Sequence, residues 1–246
     1  LLPEALEASI KTNWPTALYL NPTLQNPRTG TMSLFVALNG LGVPCYHMKS
    51  LMMNTLTGRG DFEMWLQVNE LPPGSPERLA LLSRIFEGYE ACCDAPACFV
   101  YDDLMTLYPE AKVMLTRRDA TRWRHSVRDT IFSMLNMQAM PGAAVLMPIH
   151  RLIYRLPVLG SLSLGAVLGT MVNRAGLPFA RDSRLQDFAS EAEAGRIEAD
   201  FRDWIAEVER RVPAERLLVL EAPYEDAYQK VCGAAGVPLP GRPWPH

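Results

Sequence analysis

Gln25-Asn26-Pro27-Arg28-Thr29-Gly30-Thr31-Met32-Ser33 is the stretch on which the fold turns, because of what stands on either side of it. Before it, the short apolar run Ala17 to Leu20 predicts a strand, closed by Asn, Pro and Thr. After it, Leu34, Val36, Ala37, Leu38 and Leu41 predict a helix that stops near Gly40 and Gly42. A glycine at a strand-to-helix junction lets backbone N–H groups turn inward around an anion. The helix N-terminus adds its partial positive charge, and threonine hydroxyls add donors. Arg28 would supply the full charge. Alone, the stretch is explained as well by a plain strand-to-helix turn with Thr31 or Thr29 as N-cap. It also departs from the Gly-x4-Gly-Lys-Ser/Thr phosphate loop, with Gln25 at the first glycine and Thr31 in place of the lysine.

Working outward, Val43 to Tyr46 predicts a second strand, and the Pro-Pro-Gly-Ser-Pro run at 72–76 a loop in which Gly74 or Ser75 starts a helix from Pro76 towards Tyr89. Ala91 to Cys93 predicts a third strand, Phe99 to Tyr108 a helix, and Lys112 to Thr116 the clearest strand of all. A long helical pattern covers Thr121 to Met140. Ile197 to Val212 predicts an amphipathic helix, Arg216 to Leu220 a strand, and Tyr224 to Ala235 a helix. Strands alternating with helices imply α/β architecture: a mostly parallel central sheet covered on both faces.

A second cationic cluster falls at the end of the clearest strand. Arg117-Arg118-Asp119 is followed eight residues beyond Arg118 by Ser126. The carboxyl end of a parallel strand is where open α/β sheets take ligands. Two arginines and a serine one or two turns on can hold a phosphate, although a solvated helix start rich in arginine (Arg122, Arg124, Arg128) reads the same way. Both clusters fall at strand ends on one edge of one sheet.

The bulk properties of the 246 residues agree with a folded domain of ordinary kind, 48% apolar and 21% charged. A net charge of -3 excludes a general nucleic-acid binder, whose footprint is strongly basic. The five cysteines, Cys45, Cys92, Cys93, Cys98 and Cys232, form no paired CxxC motifs, so no metal site is expected and buried reduced thiols in a cytoplasmic protein are. From Leu156 to Val172 no charge occurs, but Pro157 and the glycines Gly160, Gly165 and Gly169 dilute the stretch. A buried or substrate-covering helical insertion, at about 141–194, is the preferred reading, with membrane contact through 156–172 the lesser one.

Pro27-Arg28-Thr29-Gly30-Thr31, then Pro44-Cys45-Tyr46-His47-Met48, Gly88-Tyr89-Glu90-Ala91, Asp94-Ala95-Pro96, Leu115-Thr116-Arg117-Arg118-Asp119 and Gly236-Val237-Pro238 follow one another in an order that resembles the sulfotransferase-like P-loop family of fungi, algae and bacteria. The resemblance covers nearly the whole chain, with the region from about Pro141 to Ala194 poorly anchored. It implies a three-layer P-loop NTPase-like fold, one domain over 1–246, and transfer of a sulfuryl group from 3′-phosphoadenosine 5′-phosphosulfate (PAPS) to an acceptor hydroxyl or amine, without a metal. It implies that Arg28, Thr29, Gly30, Thr31, Met32 and Ser33 grip the 5′-phosphosulfate, with Arg28 where better-known cytosolic members keep a lysine. Arg118 and Ser126 would then grip the 3′-phosphate. For the base that takes the acceptor's proton it implies Asp94 first, where cytosolic members carry a His-x-Pro, and His47 second.

Three departures stand against the pattern. Gln25-Asn26 replaces a small, glycine-containing lead, Met32 replaces a second threonine, and Tyr224-Glu225 stands where the family shows Gly-Trp. The alternative is therefore a non-catalytic binding or scaffold protein on the same fold. A P-loop kinase or NTPase ranks lower, since its lysine is missing. The apolar middle region and Met134, Met137, Met140, Met147 and Met171 point to a lipophilic acceptor, a small molecule or a lipid-like one, because flexible thioethers line adaptable pockets. The same methionines are equally at home in a core.

Overall fold

The computed structural model describes residues 17–20, 30–129 and 190–245. In chain order the described elements are β1 (Ala17–Leu20), α1 (Thr31–Gly40), β2 (Cys45–Tyr46), α2 (Met48–Leu56), α3 (Asp61–Glu70), α4 (Pro76–Ile85) and β3 (Ala91–Cys92). A 3-10 turn (Ala97–Val100) leads into α5 (Tyr101–Leu107), then β4 (Lys112–Arg117), α6 (Ala120–Val127), α7 (Ala194–Arg211), β5 (Leu217–Glu221) and α8 (Ala227–Ala235).

The five strands are all parallel, in the order β2-β3-β1-β4-β5. From β1 the chain passes through α1 to β2 at one edge of the sheet, whereas from β4 it passes onward to β5 at the other. The two connections diverge beside β1 and β4, and such a divergence opens a crevice at the carboxyl ends of the strands.

Side chains alternate across the sheet, as the strand period requires. In β4, Met114 enters a cluster with Leu34 and Leu38 of α1 and Val231 of α8. Its neighbours Val113 and Leu115 enter the larger cluster with Leu51, Trp65, Leu82, Leu104 and Val208. Alternate side chains of β4 thus enter two different clusters, in a parallel sheet of the kind that the alternation of strands and helices implied.

The helix ends follow local chemistry. Ser75 caps α4, its hydroxyl accepting from the Arg78 N–H at 3.4 Å, with Pro76 in the first turn. α8 closes on Gly236 at φ 66, where Val237 N–H donates to the Cys232 carbonyl at 3.1 Å. α7 buries Ile197, Phe201, Trp204 and Val208, the stripe that the amphipathic pattern predicted.

Two helices escaped the sequence reading, α2 and α3. A buried polar network ties them to β2: the Tyr46 hydroxyl donates to Asp61 at 3.1 Å and accepts from the Trp65 indole N–H at 2.9 Å, while Asn54 donates to Asp61 at 2.7 Å. Burial pushes the Asp61 carboxyl up, and the Asn54 hydrogen bond and the Arg59 charge offset part of that rise. The network holds the end of β2 against the helices that follow it and so sets where His47 begins α2. The helical pattern from Thr121 is realised over Ala120–Val127, and its continuation towards Met140 lies outside the described residues, as does nearly all of the expected insertion at 141–194.

Candidate functional site

Gly30 is the N-cap of α1 at φ 84 and ψ 0, in the left-handed region that glycine enters without strain. Its carbonyl accepts the Leu34 N–H at 2.7 Å, so the N-cap is Gly30 and not Thr31. Thr31 is instead the first helical residue. The first turn of α1 carries no acidic residue, which leaves its positive end without a counter-charge on the helix itself. Thr31 and Ser33 are buried and Met32 is 36% exposed. Arg28 and Thr29 lie outside the described residues.

Tyr224, at the end of β5, closes one side of this turn. A Cβ on Gly30 would stand 3.1 Å from one carbon of the Tyr224 ring and 3.3 Å from another. Tyr224 itself takes φ 69, a strained value for a bulky residue. Burial pushes its phenol up and the Arg118 cation pulls it back, so the expected phosphate-holding arginine lies within electrostatic reach of the turn. Gly30, Arg118 and Tyr224 follow the carboxyl ends of three parallel strands, β1, β4 and β5.

The neighbouring arginines are engaged elsewhere. Arg117 is ion-paired with Glu209 of α7 and, at 3.0 Å, with Glu221 of β5. Arg124 is buried and tied to Glu198 and Glu191 at 3.0 Å each, joining α6 to α7 together with the stacked rings of Trp123 and Phe201, 4.3 Å apart. Arg128 pairs with Asp129. Arg124 is thus a buried brace, whereas Arg122 is exposed and Arg128 half-buried. Asp119 caps α6, accepting the Arg122 N–H at 2.8 Å, and buried Ser126 follows two turns into the helix.

His47 and Asp94, read from the sequence as rivals for one role, stand side by side. His47 Nε2 is 3.2 Å from Asp94 Oδ2, with both residues buried. His47 is the N-cap of α2: its Nδ1 accepts the Lys49 N–H at 3.0 Å, and its own N–H donates to the Ser50 hydroxyl at 3.2 Å. Asp94 meets the histidine. Burial, reinforced by the Lys49 cation, pushes the imidazole down to about 4. Phe35, one turn into α1, lies with its ring 5.0 Å from the imidazole, and the Cys93 thiol reaches the Thr31 carbonyl. The pair is thereby docked on the same helix whose first turn forms the candidate anion loop.

A family model described as a sulfotransferase domain matches residues 24–246. The chain belongs to the sulfotransferase domain family. A curated relative from Aspergillus versicolor, Ava biosynthesis cluster protein M, is 27% identical over 222 residues, which is 89% of this chain and 76% of that protein. Among solved structures, the sulfotransferase domain from the curacin biosynthetic pathway aligns with a TM-score of 0.39 and 14% identity, over 92% of this chain and 76% of that one.

The family resemblance carried by the motifs therefore holds for this sulfotransferase-family chain. Gly30, Thr31 and Ser33 stand together at the start of α1, Tyr224 packs on that turn with Arg118 in electrostatic reach of its phenol, and His47 meets Asp94. Tyr224 was legible only as a departure from the family pattern, yet it is the residue that packs on the glycine turn. Among the described residues no cluster of His, Cys, Asp or Glu is placed to hold a metal, and no helix is long and apolar enough to cross a membrane. The apolar stretch at 156–172 and the five methionines from Met134 to Met171 lie outside the described residues.

Proposed function

We propose that the protein transfers a sulfuryl group from PAPS to the hydroxyl or amine of a small, lipid-like acceptor, on a single three-layer P-loop NTPase-like domain. The observation that carries this reading is the convergence of the left-handed Gly30 turn, Tyr224 and Arg118 at the carboxyl edge of the parallel sheet. The residues present fit a bisphosphorylated nucleotide: Gly30 takes the left-handed backbone of an anion turn, with Tyr224 packed where a side chain would stand, α1 offers its positive end, and Arg118 brings a cation. When bound, the donor supplies a sulfuryl group already activated by a phosphate leaving group.

In this reading Arg28, Thr29, Gly30, Thr31, Met32 and Ser33 hold the 5′-phosphosulfate, and Arg118 with Ser126 holds the 3′-phosphate. Arg28 also faces the negative charge that spreads over the moving group, where preorganised cations and donors do most of the catalytic work. Asp94 or His47 takes the acceptor's proton. The exposed Met32 and Val36 of α1 support an apolar acceptor.

Calorimetric titration with 3′-phosphoadenosine 5′-phosphate, with ATP in parallel, tests the reading. Tight binding of the bisphosphate over ATP is expected. Binding of neither would assign the chain to the scaffold alternative, and turnover only with sugars or charged peptides in an acceptor panel would remove the lipid-like acceptor.

A further inference from the structure

We propose that residues 237–245 form a strap that clamps the far end of α1 and thereby steadies the anion turn at its near end, so that strap docking and nucleotide binding favour one another. The link to a nucleotide rests on the sulfuryl-transfer reading; the link to the turn does not.

Two features leave the far end of α1 weakly held by its own sequence. Its last residue is Gly40, a poor helix former, and its last turn carries no basic side chain to face the negative end of the helix. Residues beyond α8 meet both deficits. A Cβ at Gly40 would overlap the guanidinium of Arg242, whose central carbon would lie 2.9 Å away. The Arg242 cation thus stands at the negative end of α1, in the space that the glycine leaves. Trp244 packs where α1 meets α8, in the cluster of Ala37, Tyr228 and Cys232, with its ring edge-on to Tyr228 at 4.9 Å. Val237, whose N–H donates to the Cys232 carbonyl at 3.1 Å, starts the strap on α8.

Side chains hold this strap, since residues 237–245 have no regular secondary structure and Leu239 is 59% exposed. Pro238, Pro240, Pro243 and Pro245 limit the conformational freedom that the segment gives up on docking. The seat is not fully satisfied. Among the described residues, the buried Tyr228 hydroxyl and the buried Trp244 Nε1 have no hydrogen-bond partner. Buried hydrogen bonds left unmade favour the undocked strap, so undocking is cheaper than the buried ring alone implies.

The ten residues of α1 span about 15 Å, and a helix so short moves as one body. At its near end the Gly30 carbonyl accepts the Leu34 N–H, and Leu34 belongs to the cluster against which Trp244 also packs. Fixing Gly40 therefore fixes the N–H donors of the first turn. An anion that orders the first turn in return holds Gly40 where Arg242 reaches it. Coupling of this kind is reciprocal.

Amide hydrogen exchange of the nucleotide-free protein tests the coupling without any activity. The Leu34 amide reports the turn. The matched control is the Leu79 amide, which donates to the Ser75 carbonyl at 2.9 Å in the first turn of α4. Trp244→Ala should speed exchange at Leu34 by about 5- to 150-fold, the usual range of coupling between sites, and leave Leu79 unchanged. Trp244→Phe, which keeps a ring and removes the unmatched N–H, should stay near wild type. Unchanged exchange at Leu34 in Trp244→Ala, or equal acceleration at both amides, overturns the inference.

A milder cycle isolates Arg242. In an Arg242→Ala background, Gly40→Ala should slow exchange at Leu34 about four- to fivefold, the helix-propensity gain of alanine over glycine. With Arg242 present the gain should be lost, because the new methyl displaces the guanidinium. Equal slowing in both backgrounds would remove Arg242 from the clamp.

In calorimetry, 3′-phosphoadenosine 5′-phosphate should bind Trp244→Ala about 5- to 150-fold more weakly than wild type, and it should slow exchange at the wild-type Val237 amide by a like factor. Equal affinity in the two proteins overturns the inference. If wild type binds no bisphosphate, the sulfuryl-transfer reading fails, while the Leu34 comparison still decides whether the strap holds the turn.

Discussion

The ring of Tyr224 lies across Gly30, with the nearest ring carbon 3.1 Å from where a Cβ on that glycine would stand. Two strained or special backbone positions, at φ 69 and φ 84, are thus stacked on one another at the mouth of the sheet. A side chain at Gly30 meets both a left-handed backbone and a ring. Gly30→Ala should cost about 1–2 kcal/mol from the backbone alone, and more from the contact. Thermal unfolding measures the first effect. In a double-mutant cycle, Tyr224→Ala should relieve part of the Gly30→Ala penalty, whereas strict additivity would mean that the two do not touch.

Arg117 and Arg118 are adjacent in sequence and opposite in expected effect. Arg118→Ala should weaken binding of 3′-phosphoadenosine 5′-phosphate by about 1.5–3 kcal/mol, the worth of a hydrogen bond to a charged group. Arg117, half exposed and ion-paired with Glu209 and Glu221, should change stability by only about 0–1 kcal/mol when truncated and leave affinity nearly intact. Calorimetry on the two alanine variants separates them, and equal affinities would remove Arg118 from the phosphate site.

The buried imidazole of His47 carries a pH signature. Its value falls from 6.5 in the unfolded chain to about 4 in the fold, so below 6.5 the unfolded state binds the proton more readily. The stability it contributes is complete above 6.5 and is lost as pH falls towards 4, with a slope of at most about 1.4 kcal/mol per pH unit. Denaturant unfolding at several pH values should show wild type weakening relative to His47→Gln across that window. Parallel curves would contradict the neutral buried state.

Trp123 stacks on Phe201 within 12° of parallel and is fully buried. Trp123→Ala should destabilise the protein by about 3–5 kcal/mol. Because α6 carries Ser126, bisphosphate affinity should fall as well, even at temperatures where the variant remains folded. A destabilised variant with wild-type affinity would place Ser126 outside the site.

Much of the fold was legible because the relevant chemistry is local. Ala17–Leu20 appears as a strand with the expected bounds, and Lys112 to Thr116 needed extension by one residue, to Arg117. The glycine at position 30 advertised its turn. α2 escaped because its cap is a histidine, outside the usual Ser, Thr, Asp or Asn set, and because Met48-Lys49-Ser50-Leu51-Met52-Met53 lacks a clear helical stripe. α3 left a readable trace that went unused: acidic Asp61 and Glu63 in its first turn, with Phe62, Trp65 and Val68 recurring behind them. The meeting of His47 with Asp94 could not be read along the chain, since it exists only because β2 and β3 pair side by side.

The position of β1 in the sheet has a consequence for how this chain is made. β1 is emitted before both of its partners, β3 and β4, with Ala17 in register with Ala91 and with Lys112. Until both have left the ribosome, the future centre of the sheet has no strand on either side of it. Pairings of such long sequence separation form slowly, and unpaired strand edges invite association with other chains. Slow translation through the residues between 20 and 112 would lengthen that exposed interval, so soluble yield in a heterologous host should depend on synthesis rate and temperature more than on the stability of the finished fold.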